Sequence, residues 1–278
     1  MVLYKYFPPD RVDTLQNCRI RFTPPGSFND PFEFRPALKN IASDDQLREF
    51  LQREADVMID REIERLEPLK PKVSPFELQA MRVSFKKNFG PTFRALEPVL
   101  VEEVKRRFEH GFNSLVGVLC LSEVWDSILM WGHYCQSHEG FVLGFNSEHP
   151  FFHQTRTSSD DFGRLRRVHY QVKRPVVSLM GSSGLEWLDS KADIWSYEKE
   201  WRMLLTLPAA TEVKNVAPGA IHLFQFPTES VLEIVLGIKC SAATESAIRN
   251  AVAGWSRRPT IFKGEIDSTD YKLNRRPA

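Results

Sequence analysis

The stretch Tyr197-Glu198-Lys199-Glu200-Trp201-Arg202 sets two carboxylates two positions apart. On a strand, alternation sends Glu198 and Glu200 to one face, where two buried negative charges would repel. As structure, they are solvated edge carboxylates partnered by Arg202 and contribute little to stability. As chemistry, one is aimed at a developing cation while the other aligns a substrate group. A second motif, Met130-Trp131-Gly132-His133-Tyr134, crowds three polar-tipped rings together. On a helix Met130 shares a face with Tyr134 and Trp131 with Cys135, while His133 lies off both, near the rim. It reads either as a buried aromatic helix or as a binding face, since a plain core seldom wants three polar tips. The third, Asn29-Asp30-Pro31-Phe32-Glu33, is a turn signal. It either staples a loop or presents Asn29, Asp30 or Glu33 to a ligand.

The elements that must position these motifs follow from periodicity. Val2 to Phe7 and Arg19 to Thr23 alternate as strands, with a short helix from Pro8 through Leu15 between them. Ser43-Asp44-Asp45-Gln46 is a capping box opening a long charged helix, and two further helices are expected near 76–88 and 93–108. Strands are expected at 116–122, 141–145, 167–172 and 200–207, with a helix at 127–137 and a polar loop over 146–163. A β-α-β unit, 231–236, 242–253 and 260–263, closes the chain. The expected class is α/β (α+β): a single domain over 1–278 built on a mixed sheet, with a helical insertion at 43–110.

Composition narrows the function classes. Apolar residues make up 42% of 278 and aromatics 12%, enough for a sizeable core. Lys and Arg number 37 against 36 Asp and Glu, so no global field draws the chain to nucleic acid or anionic lipid. The basic patches Arg164 to Arg167 and Arg257-Arg258 read as solvated loop faces. Four scattered cysteines without a CxxC pair, no signal-like N-terminus and no long apolar run lead us to expect a cytoplasmic protein outside the membrane. Dinucleotide and P-loop glycine fingerprints, HExxH and GxSxG are all missing. Cys135 and His138, three apart, read as a core thiol near a surface histidine.

Taken together, Tyr4-Lys5-Tyr6, residues 29–33, Ser122, residues 130–134, Gly140 and residues 197–202 resemble an uncharacterised bacterial family, domain of unknown function 2971. The order of these pieces is also distantly similar to ADP-ribosyltransferases, and implies a sheet core of that kind with NAD as substrate and no metal. By position, the resemblance makes Ser122 the serine that positions the glutamate, Glu200 the catalytic glutamate and Glu198 the acceptor-side one. It departs from the pattern at Lys5, where an arginine is expected, and at Trp201-Arg202. Trp131 or Tyr134 would stack on nicotinamide, and Lys5 or Arg21 would neutralise the pyrophosphate. Tyr4, Tyr6, Asn29, Asp30, Glu33, His133 and Arg202 complete the expected binding set. The acceptor would be a protein or a nucleic acid, in a bacterial defence or toxin setting. Two other readings stay open: a non-catalytic sensing or binding module, and a metal-dependent nuclease using Asp30, Glu33, Glu198 and Glu200. With Glu200 taken as an exposed carboxylate, Glu200→Gln is expected to leave folding almost unchanged.

Overall fold

The computed structural model describes residues 1–66, 74–155, 162–178, 185–217 and 219–278. In chain order the strands are β1 (Val2–Phe7), β2 (Arg19–Phe22), β3 (Ala37–Asn40), β4 (Val116–Ser122), β5 (Phe141–Asn146), β6 (Arg166–Arg167), β7 (His169–Gln171) and β8 (Val176–Ser178). They continue with β9 (Ser190–Ala192), β10 (Glu200–Thr206), β11 (Glu212–Val216), β12 (Gly219–Gln225), β13 (Val231–Leu236), β14 (Thr260–Ile266) and β15 (Leu273–Pro277). The α-helices are α1 (Asp13–Asn17), α2 (Asp44–Leu66), α3 (Pro75–Leu115), α4 (Ile128–Tyr134) and α5 (Ala242–Val252). No helix among the described residues is long and apolar enough to cross a membrane.

The chain divides into two compact units, one of residues 1–34, 111–173 and 188–278, the other of residues 35–110 and 174–187. The first is built on an eight-stranded sheet in the order β15-β14-β13-β5-β1-β4-β10-β6, and also holds a three-stranded sheet β11-β12-β2. All pairs in the large sheet are antiparallel except β13 with β14, which the crossover through α5 makes parallel. The large sheet is therefore mixed, as an α/β class requires.

Alternation decides what each face of that sheet holds. Leu3 and Phe7 lie opposite Phe145 and Phe141, and with Leu119, Leu121 and Met203 they form one apolar layer. Ile20, Phe22 and Phe224 from the three-stranded sheet, Phe226 just after β12, and Ile248 and Val252 from α5 close over it. The other face carries Tyr4, Tyr6 and Val142, covered by Met130 and Trp131 of α4. Each fully buried large side chain contributes roughly 1.5–3 kcal/mol, so this two-sided core fixes the register of β1, β5 and β13.

In the second unit the capping box forms as expected: Ser43 Oγ accepts from the Gln46 amide (3.2 Å), and Gln46 Oε1 accepts from the Ser43 amide (2.8 Å). Where two helices were expected near 76–88 and 93–108, one helix runs from Pro75 to Leu115, with Pro91 and Pro98 inside it. A ladder of rings at spacing four, Phe85, Phe89 and Phe93, continues across Pro91 with centroids 5.2 and 6.1 Å apart. Apolar stacking thus supports the helix where the missing amide weakens it. The strand expected at 167–172 is two short strands, β6 and β7, in different sheets. Arg166 is not on a solvated face: it is buried and paired with Asp189 at 2.9 Å. Residues 156–161 of the expected 146–163 loop lie outside the described residues, and Pro150–Phe152 forms a 3-10 turn.

Backbone approach at the ends of β1, β5 and β13 leaves no room for a side chain. A Cβ at Gly140 would lie 1.9 Å from the Phe7 carbonyl oxygen, whereas Gly132 on α4 has nothing within 4 Å. Gly140→Ala is therefore expected to lower stability by about 1–3 kcal/mol or more. Gly132→Ala should be neutral, or stabilising by up to ~1 kcal/mol through helix propensity. Urea unfolding of both variants checks the contrast, and equal midpoints would refute it.

Candidate functional site

Three adjacent strands place the first residues in one row. Tyr4 of β1 lies opposite Ser122 of β4, and Ser122 lies opposite Glu200 of β10, so all three share a face. The joint between β1 and β4 is unlike its neighbours. β1 pairs with β5 along Val2–Phe7 and β4 pairs with β10 along Val116–Ser122, but among the described residues β1 and β4 are joined by the Tyr4–Ser122 pair alone. Beyond that pair the sheet opens into a seam. A cleft of about 400 Å³ occupies it, lined from β1 by Lys5 and Tyr6 and from β4 by Val118, Cys120 and Leu121. Lys5 alternates onto the face opposite Tyr4 and Tyr6, yet all three reach the cleft because the seam is open.

At one wall of the cleft stands a buried charge cluster. The 3-10 helix Asp193–Glu198 ends at Lys199, whose left-handed backbone (φ 43) turns the chain into β10. Glu198 and Glu200 therefore meet through a turn and not through strand alternation. Lys191 of β9 sits between them, with Nζ donating to Glu198 Oε2 (2.5 Å) and Glu200 Oε2 (2.7 Å). Arg202 donates from Nε to Glu200 Oε1 (2.6 Å) and from Nη1 to the Leu188 carbonyl (2.9 Å), and it also pairs with Glu33. The Phe34 ring covers the guanidinium at 4.6 Å. Tyr134 Oη donates to Glu198 Oε1 (2.7 Å), and Tyr170 Oη accepts from the Glu200 amide (2.8 Å). Ser122 Oγ donates to the Glu198 carbonyl (2.6 Å) and accepts from the Val124 amide, holding the end of the 3-10 helix against β4.

Electrostatics follow from this geometry. Burial alone would raise the Glu200 carboxyl, but Arg202 and Lys191 overcome it and hold that group far below the usual carboxylate range. Burial works against the charges of Lys191 and Arg202 too; the surrounding carboxylates outweigh it and raise both. Three carboxylates, Glu33, Glu198 and Glu200, face these two cations. The surplus falls on Glu33: burial first, then repulsion from Glu200 and Asp30, push it up to about 7 against the pull of Arg202 and Lys191. Its Oε2 is buried without a hydrogen-bond partner among the described residues, as a protonated or under-matched carboxyl would be.

Tyr4, Lys5, Tyr6, Arg21, Asn29, His133, Tyr134, Glu198 and Glu200 all line the cleft. Tyr4 turns its hydroxyl away, across Gly144 to Glu233 (2.8 Å), where a Cβ at Gly144 would come within 3.1 Å of its ring. Ser122, Glu33 and Arg202 stand behind the lining. Trp131 faces elsewhere: it is 1% exposed, donates to the Trp125 carbonyl and stacks on His138. It is therefore a core residue, not a stacking surface. α4 ends at Tyr134 and not at 137, because Gln136, Ser137 and His138 take positive φ. Asp30 is likewise buried and uses Oδ1 to close its own turn on the Phe32 amide (2.9 Å). Sequence reading missed Lys191 and Tyr170. The signal for Lys191 was indirect: a motif with two carboxylates needs a second cation besides Arg202 if it is buried.

Residues 130–203 match the family model described as "Protein of unknown function (DUF2971)". This supports the resemblance over the span from Met130 on α4 to Met203 on β10, which includes Tyr134, Lys191, Glu198, Glu200 and Arg202. Tyr4-Lys5-Tyr6, residues 29–33 and Ser122 lie outside the matched span. No curated protein and no solved structure matches the chain, so the resemblance to ADP-ribosyltransferases gains no support from the comparisons.

Burial overturns the expectation that Glu200→Gln spares the fold. Removing this charge leaves Lys191 and Arg202 under-matched in a dry interior, and should cost roughly 3–5 kcal/mol, measurable as a lower urea midpoint. Glu33 yields a pH signature. Its folded value lies above the ordinary 4.5, so the folded state holds the extra proton. That contribution is full below about 4.5 and is lost as pH rises to about 7. Glu33→Gln should flatten the stability profile between about pH 5 and pH 7; a profile parallel to the wild type would refute the assignment.

Proposed function

We propose that the cleft binds a nucleotide of the NAD type and that the Glu198–Glu200 pair assists loss of nicotinamide, by hydrolysis or by transfer of ADP-ribose to an acceptor. The observation that carries this reading is the surplus of negative charge at the cleft wall, three carboxylates against two cations, with Glu198 and Glu200 both reaching the lining. Departure of nicotinamide leaves positive charge on the ribose, much as glycoside cleavage does. A preorganised negative site in a low-dielectric wall stabilises that charge without reorganising at the moment of reaction. Nicotinamide is itself cationic while attached, which also favours this wall.

Within the pair, the two carboxylates are held differently. Both Glu200 oxygens are engaged by Lys191 or Arg202, so Glu200 contributes field and aims Lys191. Glu198 gives one oxygen to Lys191 and the other to the Tyr134 hydroxyl, a bond that a ribose hydroxyl can replace. Tyr134, bonded to Glu198, and His133 offer rings in the lining for the nicotinamide, in place of Trp131. The nuclease reading is disfavoured by the same geometry, because the ammonium of Lys191 stands where the carboxylates converge and a metal ion would have to displace it. Among the described residues no group of three or more His, Cys, Asp or Glu side chains is arranged to hold a metal. The saturated ion pairs of Glu200 favour the second reading, a module that binds the nucleotide without cleaving it.

Incubation with NAD and measurement of released nicotinamide tests the proposal. Glu198→Gln should lower the rate by roughly 10²–10³-fold, corresponding to ~3–4 kcal/mol of lost charge stabilisation, with Tyr134→Phe affected less. Saturable NAD binding without nicotinamide release would favour the binding module. Neither binding nor release would end the nucleotide reading.

A further inference from the structure

The second unit carries a surface that the cleft does not use. One side of α3 is occupied by α2: Arg82 pairs with Asp60 (2.6 Å), Lys86 with Asp56 (3.0 Å), and the Phe89 ring meets Phe50 with centroids 6.2 Å apart. The helical period sends Phe76, Ala80, Val83 and Lys87 to the opposite side of the same helix. All four are exposed, Phe76 by 83% and Val83 by 57%. Single exposed apolar side chains are ordinary, whereas two on one stripe with a small residue between them form a patch. The charges beside this patch are free, unlike those on the α2 side. Glu77 uses Oε2 to close a capping box with Ser74 (2.8 Å), and among the described residues neither Glu77 nor Lys87 forms an ion pair.

We propose that residues 76–87 of α3 pair antiparallel, about a two-fold axis, with the same segment of a second copy of this chain. In such an interface residue i meets residue j of the second copy, and j meets i. An axis midway along the stripe, between Met81 and Arg82, sets Ala80 against Val83 and Phe76 against Lys87, each twice. Ala80 is small enough to let the two backbones approach, and Val83 fills the space beside it. The Lys87 stem lies over the Phe76 ring, and its ammonium reaches Glu77 one residue further along. A parallel pair in register would instead set Glu77 against Glu77 and Lys87 against Lys87, so the free charges select the antiparallel arrangement. Residues 76–87 span about 18 Å of helix. That is short for a permanent interface, so the pairing is reversible and depends on chain concentration. It does not rest on the nucleotide reading of the cleft.

Sedimentation equilibrium of the full chain, from about 1 µM to about 1 mM, tests the interface. The wild type should pass from monomer to dimer over that range, and added salt should weaken the dimer. Val83→Glu should weaken it by at least about tenfold, since the two-fold brings the new charge into the apolar centre. Lys87→Glu and Glu77→Lys should each weaken it by about tenfold, because each sets like charges together twice. An equimolar mixture of those two variants should dimerise about as well as the wild type, because every pair is then opposite in sign. A wild type that stays monomeric overturns the interface, as does undiminished dimerisation of Val83→Glu or Lys87→Glu. A mixture no better than its components overturns the antiparallel register. Circular dichroism checks that Glu77→Lys, which opens the capping box, keeps its helix. If it does not, Val83→Glu and Lys87→Glu decide the outcome.

Discussion

Two cations, Lys191 and Arg202, must satisfy three carboxylates in a place that water hardly reaches, and much of the first unit is arranged around that constraint. Charges this deep survive only when each has a partner at hydrogen-bond distance. The five residues arrive from four pieces of chain: Glu200 and Arg202 from β10, Lys191 from β9, Glu198 from the 3-10 helix and Glu33 from the loop after β2. The cluster therefore acts as a tie between segments that share little apolar surface. The left-handed turn at Lys199 and the hydroxyl of Ser122 make sense in this light. They are the backbone devices that let Glu198 and Glu200 approach one ammonium together.

The same constraint explains why the cleft lies where it does. A sheet paired throughout would leave no space between β1 and β4. Here the single Tyr4–Ser122 pair anchors the strands at one end. The seam then diverges, so that Lys5, Tyr6 and Cys120 become walls instead of ladder partners. Hydrogen bonds given up along the seam are partly recovered by side chains, as when Lys5 caps the Cys120 carbonyl. An opening of this kind costs stability, and the dense core beneath α5 and the three-stranded sheet is what the fold sets against it.

How much of this could be read in the sequence depended on the range of the interaction involved. The strands at 2–7, 116–122, 141–146 and 231–236 were legible, because buried two-sided sheets leave apolar runs and period-two alternation. The capping box at Ser43 was legible for a similar reason: its chemistry is complete within four residues. The long α3 was not, since Pro91 speaks locally for a break and the Phe85–Phe89–Phe93 ladder overrides it. β11 and β12 carry too few buried residues to show an alternating pattern. At the site, residue types pointed to the right neighbourhood but not to roles. Trp131 was expected to face a ligand and faces the core, and Glu200 was expected at a wet edge and is buried. A glutamate's burial is decided by whether a cation folds in beside it, and Lys191 is nine residues away on another strand.

That distinction between matched and unmatched charge separates residues whose charge holds the fold from residues whose charge does not. Arg202 is wholly buried and is answered by two carboxylates, a carbonyl and an aromatic face. Nothing remains for a ligand to add, and its loss would be felt first as instability. Arg21, of the same residue type, is partly buried, and its Nε has no hydrogen-bond partner among the described residues. Glu33 stands between them, with one oxygen paired and the other orphaned. Its proton balances the cluster; a cationic group entering beside Glu198 would make that proton unnecessary. Occupancy of the cleft and protonation of Glu33 are then linked, because both supply the one positive charge that Lys191 and Arg202 leave wanting.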